Sequence, residues 1–222
     1  VTGPLSVKAH DAHAARVLAD FGMLTHAFAP EDIARARRAY YGSVSYIDHL
    51  VGRVMAALEA TGQADRTAIV FTSDHGEMLG ERGIWFKKHF YEDSIGVPLF
   101  IAAPWIAPQR VKTFASLVDL LPTFNGLADG AVWRGDDLDG EDLTQFLGAE
   151  ADRPIYAEYL AEAALAPIYM IRRGQFKCVL SSADPPLLYD VIADPAERVN
   201  LAPDPAHAAR LAAFEAAAAE RA

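Results

Sequence analysis

A buried-strand pattern that ends in an acid and an imidazole places the strongest constraint on the fold of this chain. Residues 67–72 form a short apolar run rich in β-branched side chains, typical of a buried parallel strand. They follow a helix-start pattern at Ala29-Pro30-Glu31-Asp32 and a long helical pattern over residues 35–62, in which apolar residues recur at three- and four-residue spacing and Gly42 marks a candidate break. A second strand pattern covers residues 97–101, and a further helix, containing Pro122, covers 116–124. This order predicts an α/β sheet with helical cover.

The texture changes after Gly148. Four short strand-like runs are separated by turn residues and predict a small antiparallel sheet: 155–159, 167–172, 175–180 and 187–189. The Ala-rich tail from residue 207 to 222 predicts a terminal helix with Pro205 in its first turn. We therefore expect two domains, residues 1–148 and residues 149–222.

Charge and cysteine usage limit the partners and the compartment. The net charge of −10 and the absence of any Lys- and Arg-rich segment argue against nucleic-acid binding, so a small molecule is the expected partner. The sequence has no apolar run long enough to span a membrane, and we expect no membrane partner. The lone Cys178 excludes an intrachain disulfide and agrees with a reducing compartment, so we expect a cytoplasmic protein.

The strongest chemical signal lies where the first predicted strand ends. Asp74 and His75 emerge there into a glycine-punctuated loop, so that both side chains can ligate one cation. Lys87 and Lys88, about a dozen residues later, can bring positive charge to an anionic substrate. Each element also has a structural interpretation: an Asp-His-Gly turn, solvated surface lysines, and Trp85 as a packing residue.

The order of four motifs resembles the sulfatase family of the alkaline phosphatase superfamily. The segment from Ser73 to Glu92 is similar to the family's Asp-His loop and following lysine. Residues 37–48 resemble the long helix before that loop, and residues 97–104 resemble the strand after it. Leu188-Tyr189-Asp190 with residues 194–201 resembles the C-terminal signature of the family. The resemblance implies part of an alkaline-phosphatase-like mixed sheet with flanking helices, followed by the small antiparallel sheet and the terminal helix.

The resemblance also implies a mechanism. Sulfatases convert a cysteine or serine in a C/S-x-P-x-R motif to formylglycine, whose hydrate attacks sulfur beside a divalent cation. By motif position, Asp74 and His75 are expected as metal ligands and Lys87 as the contact to the sulfate oxygens, with Lys88 and His89 as alternative anion contacts. The expected cation is calcium, with magnesium or manganese as alternatives.

One departure from the family is large. The sequence contains no C-x-P-x-R or S-x-P-x-R, and the early Asp pair of the family is missing, since Asp136-Asp137 has the pattern of a turn. Cys178 has the pattern of a small buried apolar residue. Either the chain is a C-terminal fragment, which the start at Val1 favours, or it is a natural remnant with a binding or assembly role. We expect it to associate with the missing N-terminal portion and to turn over no ester alone.

Within the family, residues 76–87 and 157–167 are most similar to choline sulfatases. A quaternary ammonium group is bound by aromatic faces or carboxylates, which makes Glu158, Tyr159, Glu162 and Trp85 the candidates for the choline end; solvated acids at a strand edge are the structural alternative. Two other functions compete with the sulfatase: a phosphonate or phosphate monoester hydrolase of the same superfamily, and a non-catalytic assembly module. The Ala-rich tail is also consistent with a homo-oligomer.

Overall fold

The computed structural model describes residues 10–26, 28–128 and 138–221. Asp136-Asp137, predicted as a turn, lies outside the described residues. In chain order the helices and strands are α1 (Ala12–Asp20), α2 (Pro30–Ala60), β1 (Ile69–Thr72), α3 (Glu92–Ile95), β2 (Leu99–Ala102), α4 (Leu120–Leu127), β3 (Ile155–Tyr159), β4 (Ile168–Arg173), β5 (Phe176–Ser181), β6 (Leu187–Asp190) and α5 (Ala208–Ala219).

The chain divides into two compact units. The first unit comprises Val1–His89 and Asp93–Pro108, and the second comprises Phe90–Glu92 and Gln109–Ala222. These units are drawn differently from the two domains predicted above, 1–148 and 149–222, which stay a prediction. Among the described residues, no helix combines the length and apolar character that crossing a bilayer requires.

The long helix α2 dominates the first unit. It begins with Pro30 at its first position and carries Glu31 in its first turn, where the helix dipole favours an acid. The helix runs without interruption to Ala60, so the break near Gly42 that the sequence suggested does not occur. None of its residues is buried, and large apolar side chains stand in solvent: Tyr40, Tyr41, Val44, Tyr46, Ile47, Val54 and Met55.

Strands β1 and β2 pair with each other in the first unit. The pairing is antiparallel, with Ile69 opposite Ala102 and Thr72 opposite Leu99. The expectation that β1 is a buried parallel strand is therefore wrong for the pairing that the described residues form. Phe71 and Phe100 lie opposite each other and are 40% and 65% exposed, so neither strand is fully covered. A short apolar run predicts burial but not the direction of the strand that pairs with it.

The second unit is built on a four-stranded antiparallel meander in the order β3-β4-β5-β6. All four strands lie within one residue of their predicted ends. Helix α5 packs on this sheet through Phe214, which joins a buried cluster with Ile171, Cys178 and Leu188. Helix α4 tolerates Pro122 because the proline lies in the first turn, where its missing N–H has no intrahelical partner. The structure thus confirms the small antiparallel sheet and the terminal helix.

Candidate active site

The turn after β1 presents the two predicted metal ligands. Strand β1 ends at Thr72, and Ser73, Asp74, His75 and Gly76 follow directly. The amide of Gly76 donates a hydrogen bond to the Ser94 carbonyl at 2.8 Å. A Cβ atom at residue 76 would lie 2.1 Å from the Asp93 carbonyl oxygen. Only glycine fits this close approach, and the approach fixes the turn that carries Asp74 and His75.

The His75 ring is held in one orientation. Its Nδ1 donates a hydrogen bond to the Gly76 carbonyl oxygen at 2.7 Å. This contact assigns the proton to Nδ1 and leaves the lone pair on Nε2. Nε2 lies 3.2 Å from Asp74 Oδ2 and 2.5 Å from the Nζ atom of Lys87. The three predicted groups therefore converge on one point at the end of β1.

Asp74 is kept ionised by its own turn. Its Oδ1 accepts hydrogen bonds from the His75 amide at 3.0 Å and from the Ser73 hydroxyl at 3.2 Å. Desolvation raises the pKa of the Asp74 carboxyl, but the nearby His75 ring and these hydrogen bonds outweigh that effect, so the pKa lies below its ordinary value. The second oxygen, Oδ2, faces the His75 ring. A deprotonated oxygen atom and an imidazole lone pair therefore stand side by side.

The residues that flank Lys87 pack within the first unit. The Lys88 carbonyl accepts a hydrogen bond from His13 Nε2 at 2.8 Å, and the Lys88 Nζ lies 4.7 Å from the centre of the Phe21 ring. His89 is 7% exposed and stacks edge-on against His13. Burial lowers the pKa of His89 to about 3, so the ring is neutral near pH 7. These contacts give Lys88 and His89 packing partners on or beside α1, and their role as anion contacts stays a prediction.

The candidates for the choline end divide between the two units. Trp85 belongs to the first unit, where its ring meets Phe28 edge-on at 6.0 Å between centroids. Glu158 and Glu162 belong to the second unit. The Tyr159 hydroxyl donates to Glu162 Oε2 at 3.1 Å, and desolvation together with Glu162 raises the pKa of Tyr159 to about 12. The structure brings Tyr159 and Glu162 together, and their contact with a substrate stays a prediction.

The residues present suit part of a metal site. Within residues 10–26, 28–128 and 138–221, no group of three or more His, Cys, Asp or Glu side chains is arranged to hold a metal ion. Asp74 and His75 offer an oxygen and a nitrogen atom 3.2 Å apart, and such atoms can share one cation, because metal–oxygen and metal–nitrogen distances are about 2.0–2.6 Å. The pair fits part of a divalent-cation site whose other ligands would have to come from outside these residues.

Two residues near the site were not identified from the sequence. Glu77 and Arg37 both contact the loop that carries Lys87. Glu77 follows His75 by two positions, but its partner, the Phe86 amide, is nine residues away in sequence, so the sequence did not indicate the contact. Arg37 gave no signal, because an arginine on an exposed helix is usually solvated.

Comparison with known proteins adds a family to this geometry. Residues 7–131 match the model of the family described as Sulfatase, and residues 80–220 match the one described as N-sulphoglucosamine sulphohydrolase, C-terminal. A choline-sulfatase of Rhizobium meliloti (strain 1021) is 40% identical over 206 residues, which cover 90% of this chain and 40% of that protein. Arylsulfatase K of Gallus gallus is 34% identical over 192 residues, covering 80% of this chain and 36% of that protein.

Solved structures of related hydrolases have a fold similar to that of this chain. The phosphonate monoester hydrolase SpPMH from Silicibacter pomeroyi superposes with a TM-score of 0.84 at 28% identity, over 100% of this chain and 50% of that one. The phosphonate monoester hydrolase of Agrobacterium radiobacter gives a TM-score of 0.80 at 28% identity, over 98% and 49% of the two chains. The mixed α/β fold is therefore of the alkaline-phosphatase-like class. The chain spans about two fifths of the length of the curated relatives and about half of these two solved structures.

Proposed function

Because this chain belongs to the sulfatase family, we propose that it forms the C-terminal part of an enzyme that hydrolyses sulfuric esters with a divalent cation and a formylglycine. The observation that carries the proposal is the convergence of Asp74, His75 and Lys87, with Nε2 3.2 Å from Oδ2 and 2.5 Å from Nζ. The formylglycine would come from an N-terminal portion, since this sequence has no C/S-x-P-x-R motif.

Each of the three residues has a distinct task in this proposal. Asp74 and His75 would hold the cation, for which we propose calcium, with magnesium or manganese as alternatives. A bound divalent cation polarises sulfate oxygens and lowers the pKa of the attacking hydroxyl group. Lys87 would offset the charge that develops on the sulfate and on the leaving oxygen. His75 has a single lone pair at Nε2, so the atom either accepts from Lys87 or ligates a cation. Metal binding would therefore release the Lys87 ammonium toward the anion.

Choline sulfate is the substrate that we propose first. The support is the 40% identity to the choline-sulfatase over 90% of this chain, together with the Tyr159–Glu162 pair as a site that a quaternary ammonium group could contact. Aryl sulfates are the alternative within the same reaction. We propose no nucleic-acid or membrane partner and a cytoplasmic location.

A phosphonate or phosphate monoester is the second candidate substrate. The two solved phosphonate monoester hydrolases cover 98–100% of this chain at TM-scores of 0.80 and 0.84. The same cation and ammonium can bind either tetrahedral anion, because both groups recognise charge and oxygen atoms rather than the central atom. Measuring kcat/KM for matched sulfate and phosphonate esters separates the two reactions.

We further propose that the N-terminal portion covers the exposed face of α2. This helix has no buried residue, while Tyr46 is 63% and Val54 is 61% exposed. Contiguous exposed apolar side chains often mark contact surfaces. The chain also spans only about two fifths of the curated relatives, which leaves ample sequence to form such a contact. We also propose that the chain forms a homo-oligomer in which the Ala-rich tail contacts a neighbouring copy.

The test uses a chimera in which this chain replaces the matching region of the Rhizobium meliloti choline-sulfatase. The chimera should hydrolyse choline sulfate, whereas the isolated 222 residues should not. Lys87→Ala should lower kcat of the chimera by about 100-fold to 1,000-fold. Lys112→Ala is the matched control, because Lys112 is an exposed lysine that pairs with Glu150 at 3.0 Å. Equal activity of the Lys87→Ala and Lys112→Ala chimeras would refute the role of Lys87, and turnover by the isolated chain would refute its incompleteness.

A further inference from the structure

The loop that carries Lys87 has an unusual backbone. Leu79, Arg82 and Phe86 all have positive φ angles, of 48°, 56° and 72°, although none is glycine. Residues other than glycine rarely adopt positive φ angles, so such conformations persist only where surrounding contacts enforce them. Phe86 directly precedes Lys87 in the chain. The contacts that hold Phe86 therefore set the position of the Lys87 backbone, from which the lysine side chain extends.

Glu77 makes the contact that closes this loop. Its Oε1 accepts a hydrogen bond from the Phe86 amide at 2.7 Å and another from the Leu79 amide at 3.1 Å. The Phe86 carbonyl in turn accepts from the Met78 amide at 2.9 Å. Both backbone groups of Phe86 are thus bound to the start of the loop. A single carboxylate oxygen joins the two ends of the segment, and hydrogen bonds to an ionised acceptor are the stronger kind.

Arg37 holds the outer side of the same loop. Its Nε donates to the Leu79 carbonyl at 2.8 Å, and its terminal nitrogen donates to Glu81 at 2.8 Å. The Arg37 side chain is 19% exposed and that of Glu81 is 35% exposed, so these contacts are partly shielded from water. Leu79 is therefore bound on both of its backbone groups, by Glu77 at the amide and by Arg37 at the carbonyl.

We infer that Glu77 is a positioning residue for Lys87, and that Arg37 supports it from α2; the inference rests on the proposed role of Lys87 at the anion. The Lys87 side chain is exposed and has four rotatable bonds, so without other constraints its ammonium would sample many positions. Its Nζ nevertheless lies 2.5 Å from His75 Nε2. The fixed backbone of Phe86 confines the ammonium to the neighbourhood of His75. Glu77 acts through its acceptor oxygen and not through contact with substrate.

Two substitutions separate the acceptor from the charge. Glu77→Gln keeps an oxygen that can accept from Phe86 and Leu79 but removes the negative charge. Glu77→Ala removes the acceptor as well. Glu150→Ala is the matched control, because it removes an exposed carboxylate that pairs with Lys112. If the role is positioning, Gln preserves the arrangement and Ala does not.

The experiment is nuclear magnetic resonance on the 222-residue chain. In the parent chain and in Glu77→Gln and Glu150→Ala, the Phe86 amide should be protected from hydrogen exchange, and a nuclear Overhauser contact should link the His75 ring to the Lys87 side chain. In Glu77→Ala the amide should exchange at least about tenfold faster, as expected when a hydrogen bond of roughly 1.4 kcal/mol is lost, and the Overhauser contact should disappear. Persistence of that contact in Glu77→Ala would overturn the inference, as would its loss in Glu77→Gln.

Arg37→Gln provides a second measurement if Glu77→Ala does not fold. It should weaken the His75–Lys87 contact while leaving the rest of the spectrum of α2 in place, and an unchanged contact would refute the supporting role of Arg37. Neither readout involves turnover or a metal. A failed ester assay would therefore count against the proposed function, whereas an unchanged Overhauser contact in Glu77→Ala or Arg37→Gln counts against the positioning role.

Discussion

The Nζ atom of Lys87 lies 2.5 Å from Nε2 of His75, so an ammonium occupies the lone pair that a metal ligand would need. The proton on Nδ1, held by the Gly76 carbonyl at 2.7 Å, makes Nε2 the acceptor. The positively charged Lys87 ammonium thus lies beside the candidate metal ligands. In the proposed function, metal binding and anion binding by this part of the chain would therefore be coupled through a single imidazole.

Removing the ammonium should strengthen cation binding. Lys87→Met frees the His75 lone pair and removes a like charge worth about 1 kcal/mol at 4 Å in water, so calcium affinity of the chain should rise by about fivefold. Isothermal titration of the 222-residue chain with calcium chloride measures this change. Lys112→Met is the control and should leave the affinity unaltered. An affinity that falls on Lys87→Met would contradict the competition for Nε2.

Glu162 should discriminate between substrates. Glu162→Gln in the choline-sulfatase chimera removes a carboxylate that accepts from Tyr159 at 3.1 Å. If Glu162 binds the choline end, the quaternary ammonium group would lose its counter-charge, whereas an aryl sulfate without a cationic group would lose nothing. We expect kcat/KM for choline sulfate to fall by about tenfold or more, the range of a cation interaction of ~1–2 kcal/mol. Steady-state kinetics with both esters is the measurement, and equal losses would refute the assignment.

His89 should make the first unit sensitive to acid. Desolvation, with smaller contributions from His13, His10 and Arg82 against an opposing one from Asp11, lowers the pKa of the folded state to about 3. The unfolded chain takes up this proton near pH 6.5, so the stabilisation is complete above about pH 6.5 and is lost as the pH falls toward 3, by roughly 1.4 kcal/mol per pH unit.

Urea unfolding at pH 5.0 to 6.5 measures this effect. Other groups that titrate in that window, such as Glu197, whose pKa is raised by burial, contribute equally in both proteins, whereas His89→Gln cannot take up the proton. The free energy of unfolding should therefore depend less steeply on pH in His89→Gln than in the parent chain. Parallel pH profiles for the two proteins would show that His89 is not the group responsible.

Lys177 should be a major source of stability in the second unit. Its side chain is 0% exposed and contacts Glu197 at 2.5 Å, Glu92 at 2.9 Å and the Phe90 carbonyl at 2.5 Å. Lys177→Met removes a cation that two carboxylates share, of which Glu92 keeps Arg172 at 2.7 Å, and should lower the free energy of unfolding by about 3–5 kcal/mol. Adding Glu197→Gln should recover part of the loss, since it removes one of those charges. Chemical denaturation compares the variants with Lys112→Met, which should lose less than about 1 kcal/mol.

Cys178 should resist thiol reagents in the folded chain. It is 0% exposed, and burial, aided by the nearby Glu215 carboxylate, raises the pKa of its thiol to about 12. Thiolates rather than thiols react, so modification with a disulfide reagent at pH 8 should require prior unfolding. Addition of urea should release one reactive thiol per chain. Rapid labelling without denaturant would contradict the buried position.

Local patterns in the sequence were sufficient for most elements. The strand runs at 155–159 and 187–189 and the helix now assigned as α2 carry their own periodicity, and their limits follow from turn residues and from Pro30. The proximity of Asp74, His75 and Lys87 could be predicted because the residues form one motif in order, and their role as a site stays a prediction. The antiparallel pairing of β1 with β2 could not, since a run of apolar residues contains no information about the direction of its neighbour.

Other features escaped prediction because they depend on contacts between distant positions. Lys177 lies in a strand pattern where a lysine would ordinarily face water, and its burial becomes intelligible only with Glu92, which is 85 residues away in sequence. The role of Glu77 required the path of the loop, whose positive φ angles at Leu79 and Phe86 no propensity anticipates. Such residues become visible only when the fold brings their partners close.

The close approach at Gly76 has a consequence for any attempt to re-engineer this site. A methyl group there would meet the Asp93 carbonyl oxygen at 2.1 Å, so even alanine would force the Asp74–His75 turn away from the backbone at the start of α3. In a saturation library of this region, residue 76 should tolerate only its present amino acid, although it offers no functional group of its own. The absence of a side chain at residue 76 is thus what allows the Asp74–His75 turn to lie against the backbone at Asp93.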